Sequence, residues 1–511
     1  MKSRFTFLLL VFLCYNLTLS GSVKPFVEHV IIQQVNLNLR GAAVVLGQVT
    51  IDAPVAGEVL VHFNGNCIST AGDRIILAAS NTMNWSTNDG ETAVEAYDSD
   101  INRNSFSHTR KYSVNAGSNT FYAVGQNFVE TEGSGIASVY GMLTVKYFPT
   151  LPGPNTPQPM VLHTGVVDVN HNVRGQAEMI ASLDLDAPLS GKVLVRFDGI
   201  CVADPGDLIV IAASDAVSWS TNDGNTGIEA IDNDLNTRTF SHTRSYDIGP
   251  GNHTFYGVAQ NFVETDGDGI ASFYASLTVE YFPDINDGDN WPQLFHEGVS
   301  QTNVNVEGAP VTMGEISFDA PDAGRVVVTY DGLCSSSVGD RVVMAASNTE
   351  NWSANSGNVN VEAISTDLRY NNFSHSRVYD VAAGSNTLYA VAQNFVETAG
   401  NGIASNYASL TVEYYPETVV GVNDLIQVDA NMEVYPNPVM EVVNLSYTSS
   451  GIDTFELQLI DPTGRILKSF GTVESSDLTS KTLDLSDLSA GIYFVRLINT
   501  KKLGVKRIVK Y

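Results

Sequence analysis

Basic residues are scarce in this chain, which has 27 lysines and arginines against 56 aspartates and glutamates and a net charge of −29. Residues 21–419 hold 16 of the basic and 45 of the acidic residues, so the imbalance lies in that part of the chain. A surface of this sign repels nucleic acid and anionic lipid. We therefore expect neither as a partner. We interpret the negative charge as a feature that keeps the protein soluble outside the cell.

Cysteine is also rare, with four in 511 residues. Cys14 lies near the N-terminus, and Cys67, Cys201 and Cys334 follow at intervals of 134 and 133 residues. One thiol in each interval excludes a disulfide within it, and no motif supplies the base that a nucleophilic thiol would need. We interpret the three as small buried apolar residues.

Long apolar runs are missing, since none reaches the roughly 20 residues that a membrane helix needs. We therefore expect no membrane span. The apolar run Phe5–Cys14 follows Lys2 and Arg4 and ends near small residues at Ser20. This pattern is typical of a secretory signal peptide over residues 1–20.

Three copies of one sequence fill the middle of the chain, at 24–149, 160–283 and 293–416. VLVHFNGNC, VLVRFDGIC and VVVTYDGLC align, as do three segments that share QNFVET. Each copy is long enough to bury its own core. The segments between them, PTLPGPNTPQP and PDINDGDNWPQ, have the composition of linkers, so we predict independent beads on a string.

Runs of valine, isoleucine and aromatic residues alternate with glycine, asparagine, aspartate and proline in each copy. About eight short strands in each copy predict an all-β chain of three tandem β-sandwich modules, jelly-roll-like rather than immunoglobulin-like, followed by a small β-sandwich. The close of each copy, a TFYAVGQ-type strand and then a long last strand, is similar to jelly rolls of the C1q and tumour-necrosis-factor kind.

A histidine and an arginine recur in FSHTRKY, FSHTRSY and FSHSRVY. The two-residue period of a strand places both with the aromatic residues on the core side. A buried arginine needs a carboxylate, and two glutamates recur in every copy. The set is either a network that pins one sheet to the other or a pocket for a polar ligand. Its members are His108, Arg110, Glu95, Glu130, His242, Arg244, Glu229, Glu264, His375, Arg377, Glu362 and Glu397.

A tryptophan stands among asparagine, threonine and serine in each copy, as Trp85, Trp219 and Trp352. An exposed indole beside amide and hydroxyl groups suits stacking on a sugar ring, whereas a half-buried one anchors a loop. Both interpretations remain open from the sequence.

Histidine and glutamate can share acid–base work, yet no nucleophile elbow, HExxH motif or phosphate-binding loop accompanies them. Three equal active sites in tandem are uncommon, whereas tandem weak binders gain avidity. We therefore predict no catalytic residue and no enzyme.

The sequence gives only weak support for a calcium site. Asp98, Asp100 and Asn102 alternate as ligands of a calcium loop do, but the third copy has Arg369 at the last position, and no glutamate closes the loop. The second copy offers Asp232, Asp234 and Asn236. We predict that the protein has no metal and no other cofactor.

The sequence pattern changes from about residue 431. The segment that follows contains YPNP at 435–438, DPTGR at 461–465, LSAGIYFVRL at 488–497 and a lysine-rich last strand. Over residues 431–511 this series resembles the type A C-terminal sorting domain of the type IX (Por) secretion system. The resemblance implies recognition by the type IX machinery and carriage by Sec and type IX export across the outer membrane of a Gram-negative bacterium of the Bacteroidota. It also implies removal of the domain, with the cargo anchored to surface lipopolysaccharide or released. The residues that carry the match are Pro436, Asn437, Pro438, Gly464, Gly491 and Tyr493.

Together these features predict a secreted or cell-surface multi-module binding or adhesion protein, with a glycan as one candidate ligand. A passive structural array and an extracellular hydrolase are the alternatives. Exposure of Trp85 and His108 would favour a binder over a scaffold. An open cleft shared by His108 with Glu95 or Glu130 would favour an enzyme.

Overall fold

The protein is described here by a computed structural model that covers residues 23–85, 92–99, 102–130, 133–151, 157–219, 226–230, 236–264, 267–285, 291–352, 359–363, 370–396, 400–416, 426–427, 431–448, 454–461, 466–499 and 502–511. Strands and their turns make up these ranges, with a 3-10 turn at Ser475–Leu478. The all-β prediction is confirmed. Within the described ranges no helix has the length and apolar character needed to cross a membrane.

The first copy contains eight strands: β1 (Phe26–Asn38), β2 (Val44–Ala53), β3 (Gly57–Ile68), β4 (Asp73–Ser80), β5 (Thr92–Glu95), β6 (Arg103–Val114), β7 (Gly117–Glu130) and β8 (Ile136–Pro149). They form two antiparallel sheets, the inner sheet in the order β1-β8-β3-β6 and the outer sheet in the order β2-β7-β4-β5. These strand orders are those of a jelly roll.

The other two copies repeat this arrangement. The second contains β9 (Met160–Asn172), β10 (Glu178–Ala187), β11 (Gly191–Ala203), β12 (Asp207–Ser214), β13 (Thr226–Glu229), β14 (Thr237–Ile248), β15 (Gly251–Glu264) and β16 (Ile270–Pro283). The third contains β17 (Gln293–Asn305), β18 (Val311–Ala320), β19 (Gly324–Ser336), β20 (Arg341–Ser347), β21 (Val359–Glu362), β22 (Tyr370–Val381), β23 (Gly384–Val396) and β24 (Ile403–Pro416). Their inner sheets run β14-β11-β16-β9 and β17-β24-β19-β22.

Strand β3 shows why the inner sheet lies deep in the molecule. Val61, Phe63 and Cys67 point into the core between the two sheets, where burial raises the pKa of the Cys67 thiol. The alternate residues Leu60 and His62 point the other way and are buried as well. A strand buried on both faces needs a second partner beyond its own sandwich.

That partner is the inner sheet of a neighbouring copy, and the contacts close into a ring. Leu60 and Phe148 meet Val161, Leu194 and Phe282 meet Leu294, and Val327 and Tyr415 meet Val27. Residues 24–417 therefore form one compact unit. The prediction of independent beads is wrong, because each inner sheet carries apolar and buried polar side chains that pack on the next copy.

Charged side chains meet where the three inner sheets converge. The Lys146 ammonium lies 2.8 Å from a carboxylate oxygen of Glu280 and 2.7 Å from one of Glu413, with all three side chains at most 1% exposed. The three residues are contributed by β8, β16 and β24, one from each copy. Burial and the Glu413 charge raise the pKa of Glu280 to about 7, while Lys146 and Arg196 oppose the shift.

Hydrogen bonds to serine and threonine hydroxyl groups join the copies at equivalent positions of the three interfaces. Ser107 and Thr109 donate to Asp198 at 2.8 and 2.6 Å. Ser241 and Thr243 donate to Asp331 at 2.9 and 2.6 Å, and the Asn64 amide donates to Ser374 and Ser376 at 3.0 and 2.9 Å. The three interfaces are thus alike in position and different in chemistry.

The C-terminal unit contains β25 (Ile426–Gln427), β26 (Met432–Tyr435), β27 (Val442–Tyr447), β28 (Thr454–Ile460), β29 (Ile466–Glu474), β30 (Lys481–Asp484), β31 (Gly491–Ile498) and β32 (Lys502–Lys510). A five-stranded sheet, β25-β32-β31-β28-β29, faces a three-stranded sheet, β26-β27-β30. Leucine, valine and aromatic residues such as Leu457, Val495 and Tyr447 fill the space between them.

Candidate functional site

The recurring histidine lies inside the sandwich. His108 is 3% exposed, and its Nδ1 accepts a hydrogen bond from the backbone N–H of Ala79 at 2.9 Å. Because Nδ1 accepts, the neutral ring carries its proton on Nε2. His242 and His375 accept in the same way from Ala213 and Ala346. The histidine therefore ties the inner sheet to the outer sheet.

The recurring arginine lies beside it and packs on a tyrosine. The guanidinium of Arg110 is 5.9 Å from the ring centroid of Tyr112, and the residue is 7% exposed. Burial lowers the pKa of Arg110, and Tyr112 opposes that shift. In the third copy burial lowers the pKa of Arg377 to about 10. These surroundings are those of a packed interior.

The expected meeting of His108 and Arg110 with Glu95 does not occur. Glu95 stands opposite Arg74 on β4, and their side chains form a 2.6 Å ion pair. His108 meets Ala79, five residues further along β4, or about 17 Å away at the rise of a strand. The period of a strand gives the face that a side chain occupies but gives no position along a neighbouring strand.

The other predicted glutamates are likewise engaged elsewhere or not described. Glu362 forms an ion pair with Arg341. The negative charge of Glu229 opposes the lowering of the Arg238 pKa by burial. The side chains of Glu130 and Glu264, and all of Glu397, lie outside the described residues.

The tryptophans occupy a surface site whose indole is held from one side. Trp85 is partly buried, and its Nε1–H donates to Oε1 of Gln126, whose own amide donates to the Gly41 carbonyl. In the second copy the corresponding Trp219–Gln260 bond is 2.6 Å long. The indole orientation is therefore fixed by a two-step chain of hydrogen bonds.

An exposed phenylalanine stands next to each of these indoles. The Phe128 ring is 53% exposed, and its centroid lies 5.7 Å from that of Trp85 in an edge-to-face arrangement. Phe262 and Phe395 are 57% and 59% exposed and contact their own tryptophans in the same way. We call each set of three residues an aromatic platform. The platforms are Trp85, Gln126 and Phe128; Trp219, Gln260 and Phe262; and Trp352, Gln393 and Phe395.

A β-bulge explains why the phenylalanine points outward. On β7 the pairing passes from Asn127 to Val129, so Phe128 has no residue opposite it on β4. The register breaks at the equivalent place on β15 and β23, at Phe262 and Phe395. An extra residue of this kind re-aims one side chain. The same local device thus displays one aromatic ring on each copy.

Sequence reasoning found the tryptophans and missed their partners. QNF is identical in all three copies, which was the available signal, since a large apolar residue repeated beside an amide has a reason to be there. Alternation alone could not show that the phenylalanine is exposed, because a bulge resets the two-residue period.

The first platform lies next to the interface between two copies. Trp85 packs against a cluster formed by Ile76 and Ala93 of its own outer sheet and Ile200 of the second copy, and Tyr274 of the second copy packs against the same cluster. The exposed phenylalanine ring can stack on the apolar face of a ligand ring, and the neighbouring amide can hydrogen-bond to the substituents of that ring. The platform has the chemistry of a contact site for a ligand.

Metal-binding groups do not converge in the part of the chain that the structure describes, where no three histidine, cysteine or acidic side chains come close enough to hold an ion. Of the candidate calcium ligands, Asp100, Asp232 and Asp234 lie outside the described residues, as does Arg369, the residue that breaks the pattern in the third copy.

The residues that carry the C-terminal resemblance hold turns in place. The Asn437 amide donates to the carbonyl of Arg507 at 2.6 Å and accepts from the N–H of Val509 at 2.9 Å, which fixes the YPNP segment to β32. The Tyr493 hydroxyl donates to the Ser489 carbonyl at 2.7 Å, across the turn that contains Gly491. Gly464 lies outside the described residues.

Solved structures give only remote likenesses. A β-glucuronidase of Faecalibacterium prausnitzii is 10% identical, with 45% of this chain and 47% of that chain covered and a TM-score of 0.13. A β-glucuronidase of Ruminococcus gnavus is 13% identical, covering 38% and 33%, with a TM-score of 0.11. The glycoside hydrolase domain of Endo-D from Streptococcus pneumoniae is 13% identical, covering 43% and 37%, with a TM-score of 0.13. This chain spans less than half of each, and likenesses this weak support no functional argument.

Comparison with known sequences identifies the C-terminal unit. No curated protein matches the chain. The family model described as a secretion system C-terminal sorting domain matches residues 433–511. The chain therefore ends in a C-terminal sorting domain of the type IX secretion system, which directs it to secretion and export to the cell surface.

Proposed function

We propose that residues 24–417 form a trivalent binding head, displayed outside the cell, that holds glycans on its three aromatic platforms and carries out no catalysis. The observation that supports this most is the bulge that aims one phenylalanine outward beside a fixed indole in every copy. Exposed aromatic residues cost solubility and contribute little to packing. Their repetition at one position therefore favours a contact role.

The arrangement of the copies supports multivalent binding. The three platforms belong to one compact unit, so their spacing is set by the packed inner sheets. When three weak sites are held at fixed spacing, binding at one raises the effective ligand concentration at the others. A polymer with repeated units is the ligand that gains most from such a head.

The burial of the histidines supports a role without catalysis. His108, His242 and His375 each spend Nδ1 on a backbone N–H and are at most 4% exposed. A general base must reach the proton that it removes. These imidazoles instead belong to the structure of the sandwich.

The test is binding of the purified full chain to a glycan array, compared with the triple variant Phe128→Ser, Phe262→Ser and Phe395→Ser. The three rings are more than half exposed, so the variant should keep its melting temperature within a few degrees and lose array binding at least tenfold. A matched control is Val35→Ser with Val169→Ser, which removes apolar side chains of similar exposure, 62% and 53%, from other strands.

Two outcomes would contradict the proposal. A chain that binds no glycan on the array would leave the passive structural role as the better account. Equal binding by the parent and the triple phenylalanine variant would place the binding surface elsewhere.

A further inference from the structure

A primary amine and two carboxyl groups are held together where the three inner sheets converge. The Lys146 Nζ lies 2.8 and 3.0 Å from the two carboxylate oxygens of Glu280. It is therefore nearly equidistant from them, which keeps the nitrogen close to the carboxyl carbon that joins them. Two groups held against each other by the fold need no diffusional encounter to react.

The second carboxylate is placed to accept and deliver a proton. Oε1 and Oε2 of Glu413 each lie 2.7 Å from Lys146 Nζ. The Tyr415 hydroxyl donates to Oε2 of Glu413 at 3.0 Å, and a hydrogen bond of this kind favours the ionised carboxylate. Burial and the Glu413 charge raise the pKa of Glu280 to about 7, so much of Glu280 carries a proton near neutral pH. The two carboxyl groups are therefore suited to different steps, Glu280 to be attacked and Glu413 to act as a base.

An arginine with unused donors lies on the same face. Arg196 is 1% exposed, and neither its Nη1 nor its Nη2 has a hydrogen-bond partner in the part of the chain that the structure describes. It is two residues beyond Leu194, which stands opposite Glu280, so Arg196 and Glu280 share one face of the inner sheet. Burial opposes the Arg196 charge, but nearby carboxylates, Glu280 and Glu413 first among them, raise the Arg196 pKa. A buried cationic donor of this kind can stabilise an oxygen on which negative charge develops.

Water has no access to these groups. The side chains of Lys146, Glu280 and Glu413 are at most 1% exposed. The attraction between a buried ammonium and a buried carboxylate repays their desolvation only in part, so a neutral product is favoured in such an interior. An amide is neutral, and the exclusion of bulk water protects it from hydrolysis.

We propose that Lys146 and Glu280 condense to an amide that joins the first copy covalently to the second. A proton that passes along the 2.8 Å hydrogen bond converts the ammonium and the carboxylate to an amine and a carboxylic acid. The amine attacks the carboxyl carbon of Glu280, which forms the C–N bond. Glu413 takes a proton from the nitrogen and gives it to the Glu280 hydroxyl, which leaves as water when the C–O bond breaks. Arg196 donates to the remaining oxygen while that oxygen carries negative charge.

The amide connects β8 to β16 in a head whose cysteines, Cys67, Cys201 and Cys334, are free and buried. The ion pair is the state from which the bond forms, since only the closed head brings the reacting groups together. The bond therefore follows folding, and Lys146 is an ammonium until the bond has formed. Once formed, the amide keeps the first and second copies attached to each other when the head unfolds.

The test is mass spectrometry of the purified full chain after denaturation and digestion with trypsin. An amide blocks cleavage after Lys146, so residues 112–174 should stay one peptide and be joined to residues 245–325. The joined species should be lighter than the sum of the two peptides by one water molecule. Denaturation separates every ion pair, so only a covalent link survives. Lys192, whose partner Asp247 is 85% exposed, is the control in the same digest and should be cleaved normally.

Two variants test the roles of the groups, with melting curves to show that each is folded. Lys146→Arg keeps a positive charge between the glutamates but has no amine that can form this bond, so its peptides should be separate. Glu413→Gln keeps the shape of the side chain without the base and should lower the joined fraction at least tenfold.

The parent digest decides the proposal whether or not a variant folds. Free peptides of residues 112–146 and 245–325 in the parent would overturn it. A link to residues 378–465, which contain Glu413, would overturn the choice of Glu280 as the group attacked. An undiminished joined fraction in folded Glu413→Gln would overturn the role of Glu413 as the base.

Discussion

The imidazole of His163 is close enough to Arg110 and Lys111 of the neighbouring copy for their charges to act on it. Its Nδ1 is 3.0 Å from the Thr278 hydroxyl. Burial lowers the pKa of His163 to about 3, and Arg110, His108 and Lys111 add to the shift. Since the folded pKa is below the unfolded value of about 6.5, the unfolded chain takes up a proton that the folded chain refuses. Stability is therefore complete above pH 6.5 and is lost as the pH falls toward 3.

Replacing this histidine should remove part of that acid sensitivity. His163→Gln should melt like the parent at pH 7.5 and be the more stable of the two at pH 4.5, by about 1 to 2 kcal/mol. The measurement is chemical denaturation at the two pH values. His253→Gln, a change at an exposed imidazole, is the control and should follow the parent. A parallel pH dependence in His163→Gln and the parent would refute this account of the site.

Replacing Lys146 should give a loss of stability with the opposite pH dependence. Without its ammonium, Glu280 and Glu413 would lose their ion-pair partner and keep only the nearby charge of Arg196, and breaking a buried pair in this way costs about 3 to 5 kcal/mol. The raised pKa of Glu280 would rise further. A raised folded pKa gives stability below the unfolded value that is lost as the pH increases, so the cost should be largest at pH 7.5 and smaller at pH 5.

Thermal melts of Lys146→Met at pH 7.5 and pH 5 measure this difference. Lys192→Met is the matched control, since its partner Asp247 is 85% exposed at 3.5 Å and the pair should contribute less than about 1 kcal/mol. An equal loss at both pH values in Lys146→Met would show that charge is not what destabilises the variant.

At the scale of single elements, the inner-sheet strands bind their neighbours through one shared register. Asp198 on β11 and Asn64 on β3 occupy equivalent positions, and each meets a pair of hydroxyl residues on another copy. Because an asparagine already serves at one interface, Asp198→Asn should cost less than about 1 kcal/mol. Asp198→Leu leaves the hydroxyl groups of Ser107 and Thr109 without this acceptor and should cost about 2 to 4 kcal/mol.

Denaturant unfolding of both variants tests this comparison. The leucine variant should lose more stability than the asparagine variant by a clear margin. Equal stabilities for Asp198→Asn and Asp198→Leu would mean that these hydroxyl contacts contribute nothing to closure of the head.

Several elements could be predicted from the sequence, and for physical reasons. Alternation of apolar residues gave the strands, and it placed His242 on the core side, where it accepts from Ala213. Alternation could not predict the closed ring of three copies. Packing between copies depends on which outward-facing residues of each inner sheet match those of the next copy, and the pattern within one strand does not show this. Lys146, Glu280 and Glu413 share one aligned position with complementary charges, and that was the readable clue.

The sequence predicted the tryptophan of each aromatic platform but not the phenylalanine. Trp85 stood out by its polar neighbours, whereas Phe128 looked like one more apolar residue of a strand. Only the register break beside Asn127 shows that it leaves the core pattern.

At the scale of the whole molecule, the sorting domain and the three copies occupy separate parts of the chain. Deleting residues 431–511 removes the sorting domain that directs the chain outward. We expect the truncated protein to accumulate in the periplasm, measured by fractionation and surface labelling of cells. A matched truncation is removal of Tyr511 alone, which is 75% exposed. Surface display of the 431–511 deletion at the parent level would contradict this expectation.

The closed arrangement of the three copies sets the spacing of the three platforms, and small-angle X-ray scattering of residues 24–417 tests it most directly. A compact unit of this length should have a radius of gyration of about 21 Å. Three separate modules in a row should give more than about 30 Å, since each would measure about 14 Å and lie a module diameter from the next. A value near 21 Å is the result we expect, and a value above about 30 Å would contradict the closed head.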